Sequence, residues 1–142
     1  MSLRVLVVDD FEPWRRFVFS TLQNQPDLKI LLEVSDGLQA VKQAEQLHPD
    51  LVLLDIGLPT LNGIQAARRI RSVSPNSRIL FLSENSAPDV AEGALEAGGT
   101  GYVVKSDAGR ELLAAVQAVT EGKRYVSAIL TGQVLRGHGL PV

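Results

Sequence analysis

Five polar residues of the kinds that bind phosphate groups and divalent cations stand at the ends of short apolar runs. Asp9 and Asp10 follow VLVV, Asp55 follows LVLL, Ser83 follows ILFL and Lys105 follows YVV. Carboxylates that lie close together in a partly desolvated site repel one another. A hard dication relieves that repulsion, and Mg²⁺ is usually held by one or two carboxylates together with waters and phosphate oxygens. If the fold brings these residues together, they form a phosphoryl site with one carboxylate available as nucleophile.

The apolar runs are the elements that must position these residues. Each of the five has the length of a β-strand, and four are apolar on consecutive residues instead of alternate ones. Strands have that pattern when both faces of a sheet are covered, as in a parallel sheet. The predicted strands cover residues 5–8, 28–34, 51–54, 79–82 and 102–104.

Amphipathic stretches separate the runs, and their apolar residues recur at the spacing of a helix. Pro13 stands at a first-turn position that a helix tolerates, whereas Pro49 and Gly122 end the second and fifth stretches. Strand and helix alternate five times. This alternation predicts a doubly wound α/β domain with a five-stranded parallel sheet in the flavodoxin-like order 2-1-3-4-5.

In that order the strand sequence reverses between the first and third strands, and ligands bind beyond the carboxyl ends of the strands at this point. The three aspartates would converge there, flanked by the hydroxyl of Ser83 and the ammonium of Lys105. A single strand-end aspartate beside a helix is commonly an N-cap. The prediction of a phosphoryl site therefore depends on the whole group and not on any one aspartate.

Four motifs in order resemble the receiver domain of two-component response regulators, from residue 3 to about residue 123. They are VLVVDD (5–10), LVLLDIGLPTLNG (51–63), ILFLS (79–83) and GYVVKS (101–106). Each motif alone is weak, but four at the expected separations make a specific signal. The segment from Gly98 through the fifth helix, with GKRYVS after it, is most similar to the NarL/FixJ subgroup.

The resemblance implies a role for each residue that would meet a metal ion. Asp55 corresponds to the phosphorylated aspartate and is also a metal ligand. Asp10 corresponds to the direct ligand of Mg²⁺ (or Mn²⁺), with Asp9 acting through water. The backbone carbonyl of Gly57 would complete the metal ligands that the protein supplies.

The resemblance also implies a phosphate-binding and switching set. Ser83 corresponds to the switch hydroxyl that hydrogen-bonds the phosphoryl group, and Lys105 to the lysine that pairs with a phosphoryl oxygen. Tyr102 corresponds to the aromatic residue that turns inward on activation. Glu84 departs from the family pattern, which has a small or apolar residue here. Its carboxylate would crowd the site and repel incoming phosphate unless it turns outward.

The implied partners are a sensor histidine kinase or a phosphotransfer protein, and a homodimer is left open. We expect a receiver domain at residues 1–123 and an extension at 124–142, with a short helix over residues 127–136 and then a loose tail. No helix-turn-helix pattern fits in the extension. Either a DNA-binding output domain is missing from the sequence or the receiver stands alone, and the sequence does not decide between these.

The amino-acid composition excludes several other classes of protein and of binding site. The chain has 142 residues, with 16 acidic and 14 basic residues and a net charge of −2, so it lacks the basic excess of a protein that binds nucleic acid by itself. It has no cysteine, which excludes disulfides and thiolate metal sites. No apolar run is long enough for a membrane span, and no signal peptide is evident. We therefore expect a cytoplasmic protein without membrane contact.

Two other classes share part of this pattern. A phosphatase with an aspartate nucleophile also uses a strand-end aspartate and Mg²⁺, but it needs a second acid two residues later, where this chain has Gly57. We therefore expect no turnover enzyme, only slow loss of the protein's own phosphoryl group. The other class is a degenerate receiver that acts as a protein-binding scaffold. The complete set of site residues disfavours it, and only Glu84 favours it.

Overall fold

A computed structural model describes residues 2–130, in which strands and helices alternate. The strands are β1 (Leu3–Val8), β2 (Leu28–Val34), β3 (Leu51–Leu54), β4 (Arg78–Ser83), β5 (Gly101–Val104) and β6 (Tyr125–Val126). The helices are α1 (Glu12–Leu22), α2 (Gly37–Leu47), α3 (Gly63–Val73), α4 (Pro88–Glu96) and α5 (Ala108–Thr120). Two short 3₁₀ helices cover Lys105–Asp107 and Ala128–Leu130. Within the described residues, no helix combines the length and the apolar character needed to cross a bilayer.

The sheet is parallel throughout and has the order β2-β1-β3-β4-β5-β6. The predicted doubly wound fold and the order of its first five strands are confirmed. The sheet has one strand more than predicted, because Tyr125 and Val126 pair with Gly101 and Tyr102 at the β5 edge. A two-residue strand is too short to leave a periodic pattern in the sequence.

Each face of the sheet is covered by its own apolar cluster. On one face, α1 and α5 contribute residues such as Val18 and Leu112 to a cluster that includes Val7. On the other face, α2, α3 and α4 pack in a cluster that includes Ile70 and Val8. Successive residues of a strand point to opposite faces, so covering both faces requires the consecutive apolar residues seen in the runs.

The loop between β3 and α3 is clamped by two glycines. A Cβ atom on Gly63 would lie 2.0 Å from the carbonyl oxygen of Asp55, and one on Gly37 would lie 1.9 Å from the carbonyl oxygen of Leu61. Any side chain would force these backbones apart. Asn62 and Gln65 add a capping box that fixes the start of α3. The backbone after Asp55 is thus held in one position.

The described part of the C-terminal extension packs on the β5 edge. The Ser127 hydroxyl donates to Glu111 Oε1 (2.6 Å) and accepts from the Val104 N–H (2.8 Å), and the Ala128 N–H donates to Glu111 Oε2 (3.1 Å). Leu130 is buried in the same cluster as Tyr102. Of the helix predicted over residues 127–136, the described part is a single 3₁₀ turn, and residues 131–136 lie outside the described residues. The domain boundary after residue 123 stays a prediction.

Candidate functional site

The parallel register of the sheet brings the predicted polar residues to one edge. Val8 of β1 is paired with Leu54 of β3, and the Asp55 N–H donates to the Val8 carbonyl (3.0 Å). The residues that follow these strands, Asp9 and Asp55, therefore lie side by side. Ser83 and Val104 are paired in the same way on β4 and β5, which brings Lys105 to the same edge.

Lys105 lies between two of the carboxylates. Its Nζ is 2.7 Å from Asp9 Oδ2 and 3.6 Å from Asp55 Oδ2, and its side chain is only 10% exposed. Asp9 is almost fully buried, and its Oδ1 accepts the Phe11 N–H (2.9 Å). Within residues 2–130 the buried Asp9 Oδ2 has no partner with hydrogen-bond geometry, so its contact with Lys105 is an ion pair. The two distances show that the ammonium is shared unequally between the two acids.

The carboxylates outnumber the cation that they meet. Ligand oxygens of Asp9, Asp10 and Asp55 lie within 4.8 Å of one another, and Asp10 is exposed. One ammonium cannot neutralise three carboxylates, so this group has the oxygen donors and the excess negative charge that suit a hard dication. Gly57 lies in the exposed turn two residues after Asp55. The donor set fits Mg²⁺, and the exposed side of Asp10 leaves the cluster open to solvent.

The pKa of the Asp55 carboxyl is raised above the usual 3.8, first by burial and then by the charge of Asp9, with a smaller contribution from Asp10. Lys105 and the Ile56 N–H, which donates to Asp55 Oδ1 at 2.8 Å, act in the opposite direction. Burial disfavours the charged form of a carboxyl group. A bound cation would reverse that balance by favouring the carboxylate.

Ser83 and Tyr102 meet at the loop between β4 and α4. The Ser83 hydroxyl accepts the Asn85 N–H (3.1 Å), and the Tyr102 hydroxyl donates to the Asn85 carbonyl (2.7 Å). Burial raises the pKa of the Tyr102 hydroxyl, a hydrogen bond with Ser83 lowers it, and the charge of Asp55 raises it further. Tyr102 is fully buried, so this structure already has the inward position that the resemblance links to activation.

Glu84 lies outside the carboxylate cluster. Its side chain is exposed, and in residues 2–130 it forms no ion pair. Its predicted effect on access of phosphate to the site stays a prediction.

Three further residues also contact the site. Trp14 places its ring 4.9 Å from Lys105 Nζ, measured to the ring centroid. Arg15 donates to the Asp9 carbonyl (2.6 Å), and the Asn85 backbone joins the two hydroxyls described above. The signal for Trp14 and Arg15 was their position in the first turn of α1, which begins two residues after Asp10.

Similarity to known proteins is extensive. A family model described as response regulator receiver domain matches residues 5–117. The transcriptional regulatory protein LiaR of Bacillus subtilis is 31% identical over 133 residues, which cover 94% of this chain and 63% of LiaR. The nitrate/nitrite response regulator protein NarL of Escherichia coli K12 is 32% identical over 127 residues, which cover 89% of this chain and 59% of NarL.

A solved structure agrees over the whole length. The crystal structure of a LuxR-family two-component response regulator from Aurantimonas sp. SI85-9A1 matches with a TM-score of 0.90 at 29% identity, covering 99% of this chain and all of that one. In contrast, this chain spans less than two thirds of LiaR and of NarL. The chain belongs to the response regulator receiver domain family.

Proposed function

We propose that this chain accepts a phosphoryl group on Asp55 from a phosphohistidine of a sensor kinase or phosphotransfer protein, and so carries a signal. The observation that supports this most directly is the position of Lys105 Nζ beside Asp9 and Asp55 in a cluster of three carboxylates. A cation between carboxylates at a topological switch point is suited to bind the charged phosphoryl group.

The transfer is a displacement at phosphorus. A carboxylate oxygen of Asp55 forms the new O–P bond, the N–P bond of the donor histidine breaks, and the electron pair leaves on the imidazole. Asp55 Oδ1 already accepts the Ile56 N–H, whereas Oδ2 faces Lys105 at 3.6 Å. Lys105 can therefore neutralise charge on the transferring group without first losing a short hydrogen bond to the nucleophile.

Asp9, Asp10 and Asp55, with the backbone carbonyl of Gly57, would hold Mg²⁺ (or Mn²⁺) in this site. Bound there, the cation would neutralise charge on the phosphoryl oxygens. Asp10 is the exposed member of the set, so its carboxylate is free to meet an incoming ion. Asp9 keeps its ion pair with Lys105, which agrees with a ligand that acts through water.

Ser83 and Tyr102 would connect phosphorylation of Asp55 to a change at the protein surface. The new phosphoryl oxygens attract the Ser83 hydroxyl, which shares the Asn85 backbone with Tyr102. Because Tyr102 is already inside, phosphorylation would act by shifting a population toward this conformation and not by creating it. The surface that responds is formed by α4, β5 and α5, where a second copy or an output partner would bind.

We further propose that residues 1–123 act as the receiver domain and that residues 124–142 form an extension of it, whose described part packs on β5 and α5. Where an output domain is present, it would be joined through this extension. A donor kinase that uses ATP works in the cytoplasm, so we place the reaction there. Contact with DNA would need a further domain, since this chain has no basic excess.

Turnover and scaffold functions have less support. Gly57 supplies no acid to assist departure of the phosphoryl group, so the phosphorylated form should lose it only slowly. A pure scaffold would not need a buried lysine shared by two carboxylates. Glu84, the residue that favoured the scaffold, lies outside the cluster.

Intact-mass measurement after incubation with acetyl phosphate and Mg²⁺ tests the proposal. We expect the mass of one added phosphoryl group, lost on treatment with hydroxylamine, as an acyl phosphate requires. Chelation of Mg²⁺ should suppress the addition. A mass that does not change under any of these conditions would contradict the phosphoacceptor function and leave the scaffold.

A further inference from the structure

The only tryptophan of the chain stands over the site lysine. Trp14 lies in the first turn of α1, after Pro13, and its ring centroid is 4.9 Å from Lys105 Nζ. The ring also packs on Phe17, with centroids 4.8 Å apart. A cation within about 6 Å of an indole centroid is attracted by the negative face of the ring.

The contacts of the ammonium leave little room for water. Asp9 Oδ2 lies 2.7 Å and Asp55 Oδ2 3.6 Å from Nζ, and the lysine side chain is 10% exposed. Trp14 Nε1 is buried, and within residues 2–130 it has no hydrogen-bond partner. The polar contact made by this indole is therefore through its face, with Lys105, and not through its N–H.

We propose that Trp14 is a positioning residue, whose ring holds the Lys105 ammonium beside Asp9 and Asp55. A lysine has a flexible four-carbon stem, so its ammonium stays in one place only when contacts restrain it. Two carboxylates attract the ammonium, and the face of the ring also stabilises it. The role of Trp14 in signalling rests on the proposed function, because Lys105 is the group that would meet the phosphoryl oxygens.

The single tryptophan makes a sharp experiment possible. Supplying fluorinated tryptophans during expression changes this one residue, and each added ring fluorine weakens the negative face with little change in shape. We expect the rate of labelling by acetyl phosphate to fall stepwise along the series, about three- to tenfold at the most fluorinated ring. A tryptophan needed only for packing would give the same rate throughout.

A second measurement does not depend on phosphorylation. The unfolding midpoint should fall along the same series in the unchanged chain and in Lys105→Arg, which keeps the cation, but not in Lys105→Met. The ¹⁹F resonance of 5-fluorotryptophan should shift with Lys105→Met. It should not shift with Lys123→Met, which removes an exposed lysine paired with Glu121.

The two proposals fail in different ways. Labelling that occurs at one constant rate across the series would overturn the positioning role and leave the phosphoacceptor function intact. If no sample is labelled, the phosphoacceptor function fails, and the unfolding series then decides about the contact. The contact between Trp14 and Lys105 is supported if the unfolding midpoint depends on fluorination only when residue 105 carries a cation. It is overturned if the midpoint of Lys105→Met depends on fluorination to the same extent.

Discussion

The charged residues at the two edges of the sheet are arranged in opposite ways: like charges cluster at one edge, and each arginine has acceptors at the other. At the carboxyl edge, three carboxylates lie close together, and two of them share the ammonium of Lys105. At the amino edge, two arginines each donate to two backbone carbonyls at the end of a helix. The Arg4 guanidinium donates to the carbonyls of Leu47 (2.6 Å) and His48 (2.9 Å), and Arg78 donates to those of Val119 (2.9 Å) and Thr120.

The amino edge also has a groove of about 970 Å³ that includes Arg4, Asp50 and Arg78 in its lining. These three charged residues are already engaged, since Asp50 Oδ2 accepts the backbone N–H of Arg4 (2.8 Å) and both guanidinium groups bind carbonyls at helix ends. Cations at helix C-termini interact favourably with the helix dipole. Hydrogen bonds among its own residues therefore stabilise the groove, and its size alone does not make it a binding site.

The contrast separates charges that hold the fold from charges that await a ligand. Where each charge has its partners, the arrangement is complete and contributes stability. Where like charges crowd together, the folded protein carries an unfavourable energy that a cation or a phosphoryl group can relieve. Matched changes at the two edges test this division.

The largest effect should come from the nucleophile. Asp55→Asn is nearly isosteric and should abolish labelling by acetyl phosphate completely, because an amide oxygen cannot form the acyl phosphate. Asp50→Asn, the same change at the amino edge, should be labelled like the unchanged chain. Intact mass measures both, and acid-stable labelling of Asp55→Asn would point to a hydroxyl acceptor instead.

Metal affinity should depend on Asp10 next. Asp10→Asn removes a charged oxygen ligand, and we expect the affinity for Mg²⁺ to fall by about 100-fold or more. Mutation of residues that only hydrogen-bond a metal ligand already lowers metal affinity by about 10–100-fold. Asp27→Asn at the amino edge should bind Mg²⁺ normally. Isothermal calorimetry makes the comparison, and equal affinity in Asp10→Asn would remove Asp10 from the ligand set.

A change at the amino edge should lower the stability of the fold and leave phosphorylation unaffected. Arg78→Met loses the contacts with the last carbonyls of α5, and we expect the free energy of unfolding to fall by about 1–2 kcal/mol. The labelling rate should not change. Arg110→Met, which removes an exposed pair with Asp107, should cost less than about 1 kcal/mol. Urea unfolding measures the stabilities. A labelling rate that falls with Arg78→Met would mean that the two edges are coupled.

The raised pKa of Asp55 gives a pH signature in the absence of Mg²⁺. Burial and Asp9 disfavour the charged form, so ionised Asp55 opposes folding at neutral pH. Asp55→Asn should therefore unfold at a higher temperature than the unchanged chain near pH 7. This advantage should shrink as the pH falls through the raised pKa toward 3.8, because the folded carboxyl then becomes neutral.

Saturating Mg²⁺ serves as the control for that pH signature. It should remove the advantage by stabilising the unchanged chain through binding to the folded state. An advantage of Asp55→Asn that stays constant at every pH would show that charge is not its cause.

The smallest effect should come from Glu84. Its exposed carboxylate repels an anionic donor only through solvent, so Glu84→Ala should speed labelling by acetyl phosphate about twofold at low salt and not measurably near 0.1 M, where screening acts over about 10 Å. Glu45→Ala removes the same charge from α2 and should change nothing. Equal acceleration by both variants would indicate an effect of net charge and not of position.

Much of the fold and the site followed from local sequence patterns. Consecutive apolar residues predicted strands covered on both faces, and the residues after those strands predicted the edge at which Asp9, Asp55 and Lys105 meet. The prediction succeeded because parallel strands share one carboxyl edge, so a residue's position relative to its strand fixes its place in the sheet.

Other features were decided only by the tertiary structure. They are contacts between segments that are distant in the sequence, which no local sequence pattern predicts. The pairing of β6 with β5, the anchoring of Ser127 by Glu111 and the inward position of Tyr102 each depend on how separate elements pack. The same holds for the Trp14 ring over Lys105, which joins the start of α1 to the end of β5. The sequence determines which groups reach the edge, because each of them follows the last residues of its own strand and the alternation of strands and helices makes the strands parallel. Which of those groups touch is set by the packing of helices and loops around them, which is not local.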